Sequence, residues 1–257
     1  MKKVLITGGV SGIGLAIATA FARAGDHLYL GGQMAQADAQ DIMDRLRAEG
    51  AASACFDDAD LSDGQEARAM AARAIEKMGG ISVLVNNAGI QHVAPVEEFP
   101  ADRWQAVLDI NLSAPFHLTA SCLQEMRQAG FGRIINIASV HGLVASTHKA
   151  AYVAAKHGLI GLTKTIALET ADTDITCNAV CPGWVRTPLV EAQIEARAQA
   201  EGRSVEETAH RLVSEKQPTG KFMTPEQIAD MVLYLADEKA ANITGSAFSL
   251  DGGWTAC

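Results

Sequence analysis

Tyr152 and Lys156 stand four residues apart in Tyr152-Val153-Ala154-Ala155-Lys156, a spacing that sets both side chains on one face of a helix. An unperturbed phenol titrates near ~10, too high for a general base at neutral pH. An ammonium one turn away, added to the positive charge of a bound group, stabilises the phenolate and draws that value down. The pair is therefore a candidate acid–base; the competing reading is an exposed pair with its stems along the surface. Two further features favour chemistry. Ser139 closes the run Ile134-Ile135-Asn136-Ile137-Ala138, where a hydroxyl can hydrogen-bond a substrate oxygen and fix its approach. Thr7-Gly8-Gly9-Val10-Ser11-Gly12-Ile13-Gly14 follows the apolar run Val4-Leu5-Ile6; glycines there permit a tight turn and let backbone N–H groups at a helix start approach a pyrophosphate. A methyltransferase can use a similar strand-loop-helix, but the three-residue gap from Gly8 to Gly12, then Gly14, differs from its usual spacing.

These residues need a scaffold, and the sequence patterning supplies one. Short β-rich runs alternate with Ala-rich amphipathic stretches: strands at 4–6, 27–30, 52–56, 83–85, 133–137, 175–180 and 246–250, and helices at 13–23, 35–49, 65–78, 102–128, 152–170 and 225–235. Such alternation predicts an α/β fold, a doubly wound, mostly parallel sheet with helices on both faces. No repeat, low-complexity tract or linker divides residues 1–257, so one domain is expected. The polar segment 189–221, rich in Ala, Glu, Gln and Arg, is expected to form one or two helices inserted above the carboxyl ends of the strands as a substrate lid.

Composition narrows the function classes. Of 257 residues, 48% are hydrophobic and 20% charged, which excludes disordered, collagen-like and disulfide-scaffold chains. The net charge of −9 disfavours nucleic acid and anionic membranes as partners. Lys2 and Lys3 before the uncharged run 4–22 imitate a signal peptide, but Gly8, Gly9, Gly12 and Gly14 interrupt it; a soluble, cytoplasmic protein is expected. Cys55, Cys122, Cys177, Cys181 and Cys257 are odd in number and lack metal-ligand company, so they read as buried, reduced thiols, with no metal site.

Taken together, Thr7-Gly8 with Gly12-Ile13-Gly14, Asn86-Asn87-Ala88-Gly89, Asn111, Ser139, Tyr152 and Lys156, and Pro182-Gly183 before Thr187 resemble the short-chain dehydrogenases/reductases. The resemblance implies a Rossmann-type sheet, hydride transfer and a nicotinamide cofactor held by Thr7, Gly8, Ser11, Gly12, Ile13, Gly14, Asn87, Ala88, Gly89, Tyr152, Lys156, Pro182, Gly183, Val185 and Thr187. It also implies that Asp60-Leu61 contacts the adenine, and that Asn111 holds a water linking Lys156 to solvent. Ser11 stands where phosphate-preferring relatives often carry a basic residue. At the end of the second strand Leu30-Gly31-Gly32-Gln33 offers neither the acid that binds ribose hydroxyls nor an Arg for a 2′-phosphate. NAD is expected.

Three segments, Gln91 with its neighbours 86–95, His141 and Lys149 with 139–158, and Trp184 with 181–190, resemble the bacterial members of this family that act on D-3-hydroxybutyrate; the segment 31–39 does not. In those members the positions matching Gln91, His141, Lys149 and Gln193 contact the substrate carboxylate, and tryptophans matching Trp184 and Trp254 shape a small pocket. A carboxylate leaving water needs a cation and donors around it, which suits this set. Oxidation of (R)-3-hydroxybutanoate to acetoacetate by a homotetramer is therefore expected. The alternatives are another dehydrogenase acting on a polyol or related 3-hydroxy acid, and a nucleotide-binding regulator without catalysis.

Overall fold

A computed structural model describes residues 1–256. Seven strands, β1 (Lys3–Thr7), β2 (His27–Gly31), β3 (Ser53–Asp57), β4 (Val83–Asn86), β5 (Gly132–Ile137), β6 (Ile175–Pro182) and β7 (Ala247–Leu250), form one sheet in the order β3-β2-β1-β4-β5-β6-β7. Every pairing is parallel. The strand order reverses between β1 and β4, and in a sheet of this kind the crevice beyond the carboxyl ends at that point receives the ligand.

The helices are α1 (Gly12–Arg23), α2 (Gln36–Ala48), α3 (Gly64–Met78), α4 (Ala101–Leu108), α5 (Ala114–Ala129), α6 (Ala150–Glu169), α7 (Pro188–Glu201), α8 (Val205–Ser214) and α9 (Pro225–Leu235). They cover both faces, which is why the central strands read as unbroken apolar runs. Alternate side chains of β1 show the division. Val4 and Ile6 pack with Ile17 and Phe21 of α1, Leu46 of α2 and Val232 of α9, while Leu5 packs with Met70 of α3, Leu118 of α5 and Ile166 of α6. Removing these side chains from water contributes about 1.5–3 kcal/mol each.

The single helix expected over 102–128 is two helices joined by a π turn at Asp109–Ser113. Pro115 is the cause: it lacks the N–H that would bond the carbonyl four residues back, at Asn111, and its ring crowds that carbonyl. The widened turn carries Asn111 fully buried. The segment expected as a lid forms α7 and α8, which share a small core of Val190, Ile194 and Ala209 packed by Trp184, Leu212 and Phe222. Its two stems are tied together where Arg186 N–H donates to the Met223 carbonyl and Met223 N–H to that of Trp184, each at 2.9 Å.

Cys122, Cys177 and Cys181 are buried free thiols, whereas Cys55 is only half-buried; Cys257 lies outside the described residues. Among the described residues no helix is long and apolar enough to cross a membrane, and no group of three or more His, Cys, Asp or Glu could hold a metal ion.

Candidate active site

The carboxyl ends of β4, β5 and β6, the start of α6, helix α7 and the C-terminal turn enclose a cleft whose empty volume, open mouth included, is about 920 Å³. Ser139, Tyr152 and Lys156 line it, together with Gln91, His141, Lys149, Trp184, Gln193 and Trp254. Every side chain expected to touch the substrate therefore meets in one place.

Lys156 sits in the second turn of α6, 3% exposed, with Nζ donating to the Ile137 carbonyl at 2.8 Å and lying 5.6 Å from the centre of the Tyr152 ring. Burial lowers its pKa to about 8, and the neighbouring Cys181 thiol opposes that shift. The Tyr152 phenol is also desolvated, which raises its pKa above the ordinary value, while a hydrogen bond with Ser139 works in the opposite direction. In the protein alone desolvation is the larger influence on the phenol, and the lowering expected of it belongs to the state in which a bound positive charge joins the ammonium. Further positive charge must come from a bound group.

Asn111 donates through Nδ2 to the carbonyls of Ile90 and Val107, both at 2.8 Å. Its Oδ1 is buried without a partner, and a Cβ built on Gly89 would lie 2.5 Å from that oxygen and 3.8 Å from Lys156 Nζ. A glycine at 89 keeps the space between these two groups open.

Lys149 precedes the first turn of α6, and its Nζ lies 5.5 Å from the centre of the Trp184 ring. Burial lowers its pKa. Among the described residues no carboxylate pairs with it. Trp184 stacks on Trp254 with ring centres 6.4 Å apart, and Trp254 meets His141 edge-on at 5.5 Å, so the two indoles wall one side of the cleft. His141 lines the same cleft, with both ring nitrogens near hydroxyls. Its Nε2 faces Ser146 Oγ at 2.8 Å and its Nδ1 faces Ser139 Oγ at 3.4 Å. Burial and the charges of Lys149, Lys216 and His157 push its pKa down to about 4.

The glycine loop fits a dinucleotide. Ser11 precedes α1 without capping it, which leaves the first-turn N–H groups without a side-chain acceptor and no acidic residue beside them to repel a pyrophosphate. A Cβ on Gly14 would run into the Gly8 carbonyl, and one on Gly8 would meet Asn87 Nδ2 at 2.9 Å. Thr7 and Asn87 brace this cradle by binding each other's segment: Thr7 Oγ1 accepts from Asn87 and Ala88 N–H, and Asn87 Nδ2 donates to the carbonyls of Thr7 and Gly8. Ile13, Asn87, Gly89, Pro182, Gly183, Val185 and Thr187 line the cleft directly. Asp60 is held in its own turn by Ser62, while the Leu61 side chain packs into the core with Tyr29 and Met70, so only its backbone is left to face an adenine.

Three polar residues that support the site had no sequence signal. Gln217 is fully buried; it accepts from Trp184 N–H and donates to the Lys221 carbonyl at 2.7 Å, pinning the end of the α7–α8 insertion to the loop after β6. Asp251 accepts from the N–H groups of Gly253 and Thr255 and so shapes the turn that presents Trp254. Ser146 is the third.

The family pattern described as short chain dehydrogenase matches residues 2–198. The chain is 49% identical over 255 residues to the D-beta-hydroxybutyrate dehydrogenase of Cupriavidus necator, covering 99% of this chain and 98% of that protein. It is 46% identical over 255 residues to the protein of the same name from Rhizobium meliloti, covering 99% of each. A crystal structure of a variant actinorhodin polyketide ketoreductase with NADPH superposes with a TM-score of 0.90 at 36% identity, covering 98% of this chain and 96% of that one.

The buried imidazole has a measurable consequence. Because its folded-state pKa of about 4 lies below the ordinary ~6.5, the unfolded chain takes up a proton between those values that the folded chain refuses. Stability is therefore lost as pH falls through that window. Thermal midpoints followed from about pH 7 to about pH 4 are expected to drop more steeply for the wild type than for His141→Gln; parallel curves would show that this ring titrates normally.

Proposed function

The chain belongs to the short-chain dehydrogenase family, and on that premise we propose that it interconverts (R)-3-hydroxybutanoate and acetoacetate with NAD as cofactor. Oxidoreductases of this family use nicotinamide cofactors, and the oxidised ring supplies the acceptor for the hydride that leaves C3. The protein's own groups do the rest. Tyr152 takes the hydroxyl proton, and in the reverse direction returns it. Ser139 donates to the same oxygen and sets its approach. Lys156, held by the Ile137 carbonyl, stabilises the phenolate, and Asn111 Oδ1 offers an acceptor on the open side of Gly89 toward which the proton can pass. Helices α7 and α8 act as the lid, with Gln193 facing the cleft.

The observation that carries the substrate class is the half-buried Lys149 ammonium, which lines the cleft without a carboxylate to neutralise it among the described residues. A small acid substrate provides that partner, and Gln91 and Gln193 add donors around it. The two indoles limit the room for anything larger. The 46–49% identity to D-beta-hydroxybutyrate dehydrogenases over nearly the whole chain supports the same choice.

The preference for NAD rests on the end of β2. Gly31 and Gly32 lie against Met70 and Val10, and Gln33 is exposed, so no cation stands there to hold a 2′-phosphate. Arg47, on the adjoining helix, is already committed to Asp44 and the Ala54 carbonyl.

Initial rates with (R)-3-hydroxybutanoate, its ethyl ester and simple polyols, read by absorbance of the reduced cofactor, test the assignment. The free acid is expected to be the best substrate. Lys149→Ala is expected to reduce kcat/KM for the acid by the equivalent of about 2–5 kcal/mol, because it leaves an anion unpaired, and to affect the ester far less. Equal proportional losses would mean that Lys149 supports the fold of α6 and does not read the acid. For the cofactor, Gln33→Arg is expected to raise kcat/KM with NADP, whereas Gly32→Arg would force a Cβ to within 2.5 Å of Val10 Cγ2 and fail to do so. Equal wild-type efficiency with NAD and NADP would contradict the preference.

A further inference from the structure

The Gln217 side chain is fully buried, and its amide lies where three segments behind the cleft wall meet. Oε1 accepts the Trp184 backbone N–H, and Nε2 donates to the Lys221 carbonyl at 2.7 Å. The first bond holds the turn after β6, which carries one indole of the wall. The second fixes the stem by which the α7–α8 insertion returns. Against that stem lies the C-terminal turn with the other indole: Thr219 N–H donates to the Gly252 carbonyl at 3.1 Å, and Gly183 N–H to the Leu250 carbonyl at 2.9 Å. Glycines make this approach possible. A Cβ on Gly183 would run into Gln217 Oε1. Gly252, at φ +60°, would carry a Cβ into Thr219 Oγ1 and to within 3.0 Å of Gln217 Nε2. The backbones that bear Trp184 and Trp254 therefore close on one side chain, and their stacked rings, with centres 6.4 Å apart, depend on it. An amide satisfied at both ends is a firm spacer, because breaking either bond strands a buried polar group.

We propose that Gln217 is a positioning residue that sets the substrate's chain length: by fixing the separation of the turns that carry Trp184 and Trp254, it fixes the room the cleft leaves for the alkyl end of a 3-hydroxy acid. Gln217 itself stands outside the lining of the cleft and acts through the two indoles. This role rests on the reading of the substrate as a small 3-hydroxy acid, but the spacing of the indoles belongs to the free protein and is read without substrate.

Of the three tryptophans, Trp104 lies on α4, outside the lining of the cleft. In a Trp104→Phe background the near-ultraviolet circular dichroism of the indoles therefore reports the stacked pair. Gln217→Met, unbranched but unable to bridge the two backbone groups, is expected to weaken that band. Rates are then compared for (R)-3-hydroxybutanoate, (R)-3-hydroxypentanoate and (R)-3-hydroxyhexanoate. The wild type is expected to lose about tenfold in kcat/KM for each added methylene, and Gln217→Met to narrow the butanoate-to-hexanoate ratio at least about fivefold. An unchanged indole band would overturn the proposal. So would equal proportional losses for all three acids, which would mean that Gln217 only stabilises the fold. Should Gln217→Met not fold, Gln217→Glu, which keeps the acceptor for Trp184 and when ionised has no donor for Lys221, decides by the same two readings. If a polyol proves the better substrate, the reading of the substrate fails, while the indole band still decides whether Gln217 spaces the wall.

Discussion

An ammonium buried almost completely, with no carboxylate beside it among the described residues, is the constraint around which this site is arranged. Lys156 is 3% exposed and, among the described residues, its ammonium donates to the Ile137 carbonyl, a neutral acceptor that cannot cancel a charge. Desolvating a cation in this way is unfavourable unless an electron-rich group comes near. The groups within reach are the Tyr152 oxygen, the unpartnered Asn111 Oδ1 across Gly89, and whatever occupies the crevice at the strand-order reversal. On the proposed mechanism the lysine favours the anionic form of Tyr152 whenever cofactor and substrate complete the site, while in the free protein desolvation favours the protonated phenol. Lys149, seven residues earlier, is a second desolvated ammonium lining the same cleft.

Parallel strands and covering helices follow from the alternation of apolar runs, and the cleft follows from the strand order. Much of the site was accordingly readable in the sequence: Tyr152 and Lys156 from their four-residue spacing, Ser139 from its place at a strand end, and the phosphate cradle from Gly8, Gly12 and Gly14 ahead of a helix. Gly14 in particular could not be anything else without striking the Gly8 carbonyl.

What escaped the sequence was polar and tertiary. Gln217, Asp251 and Ser146 each bind a segment distant in space or a turn of their own, and a lone Gln, Asp or Ser in a loop carries no periodicity. The π turn at 109–113 was masked by helical patterning on both sides; only the i−4 relation between Pro115 and Asn111 betrays it. His141 was legible as a site residue but not as a neutral one, because its burial and its two hydroxyl neighbours exist only after folding. The desolvation of the phenol was hidden for a related reason: spacing shows that an ammonium is near, not how much water both groups lose.

Single-turnover hydride transfer in Tyr152→Phe tests the centre of this account most directly, since the substitution removes one oxygen and leaves the ring. The expected result is NADH binding close to that of the wild type together with nearly complete loss of reduced cofactor formed from (R)-3-hydroxybutanoate at every pH. A rate near the wild-type value would contradict the role given to Tyr152, and with it the reason for burying Lys156 beside it.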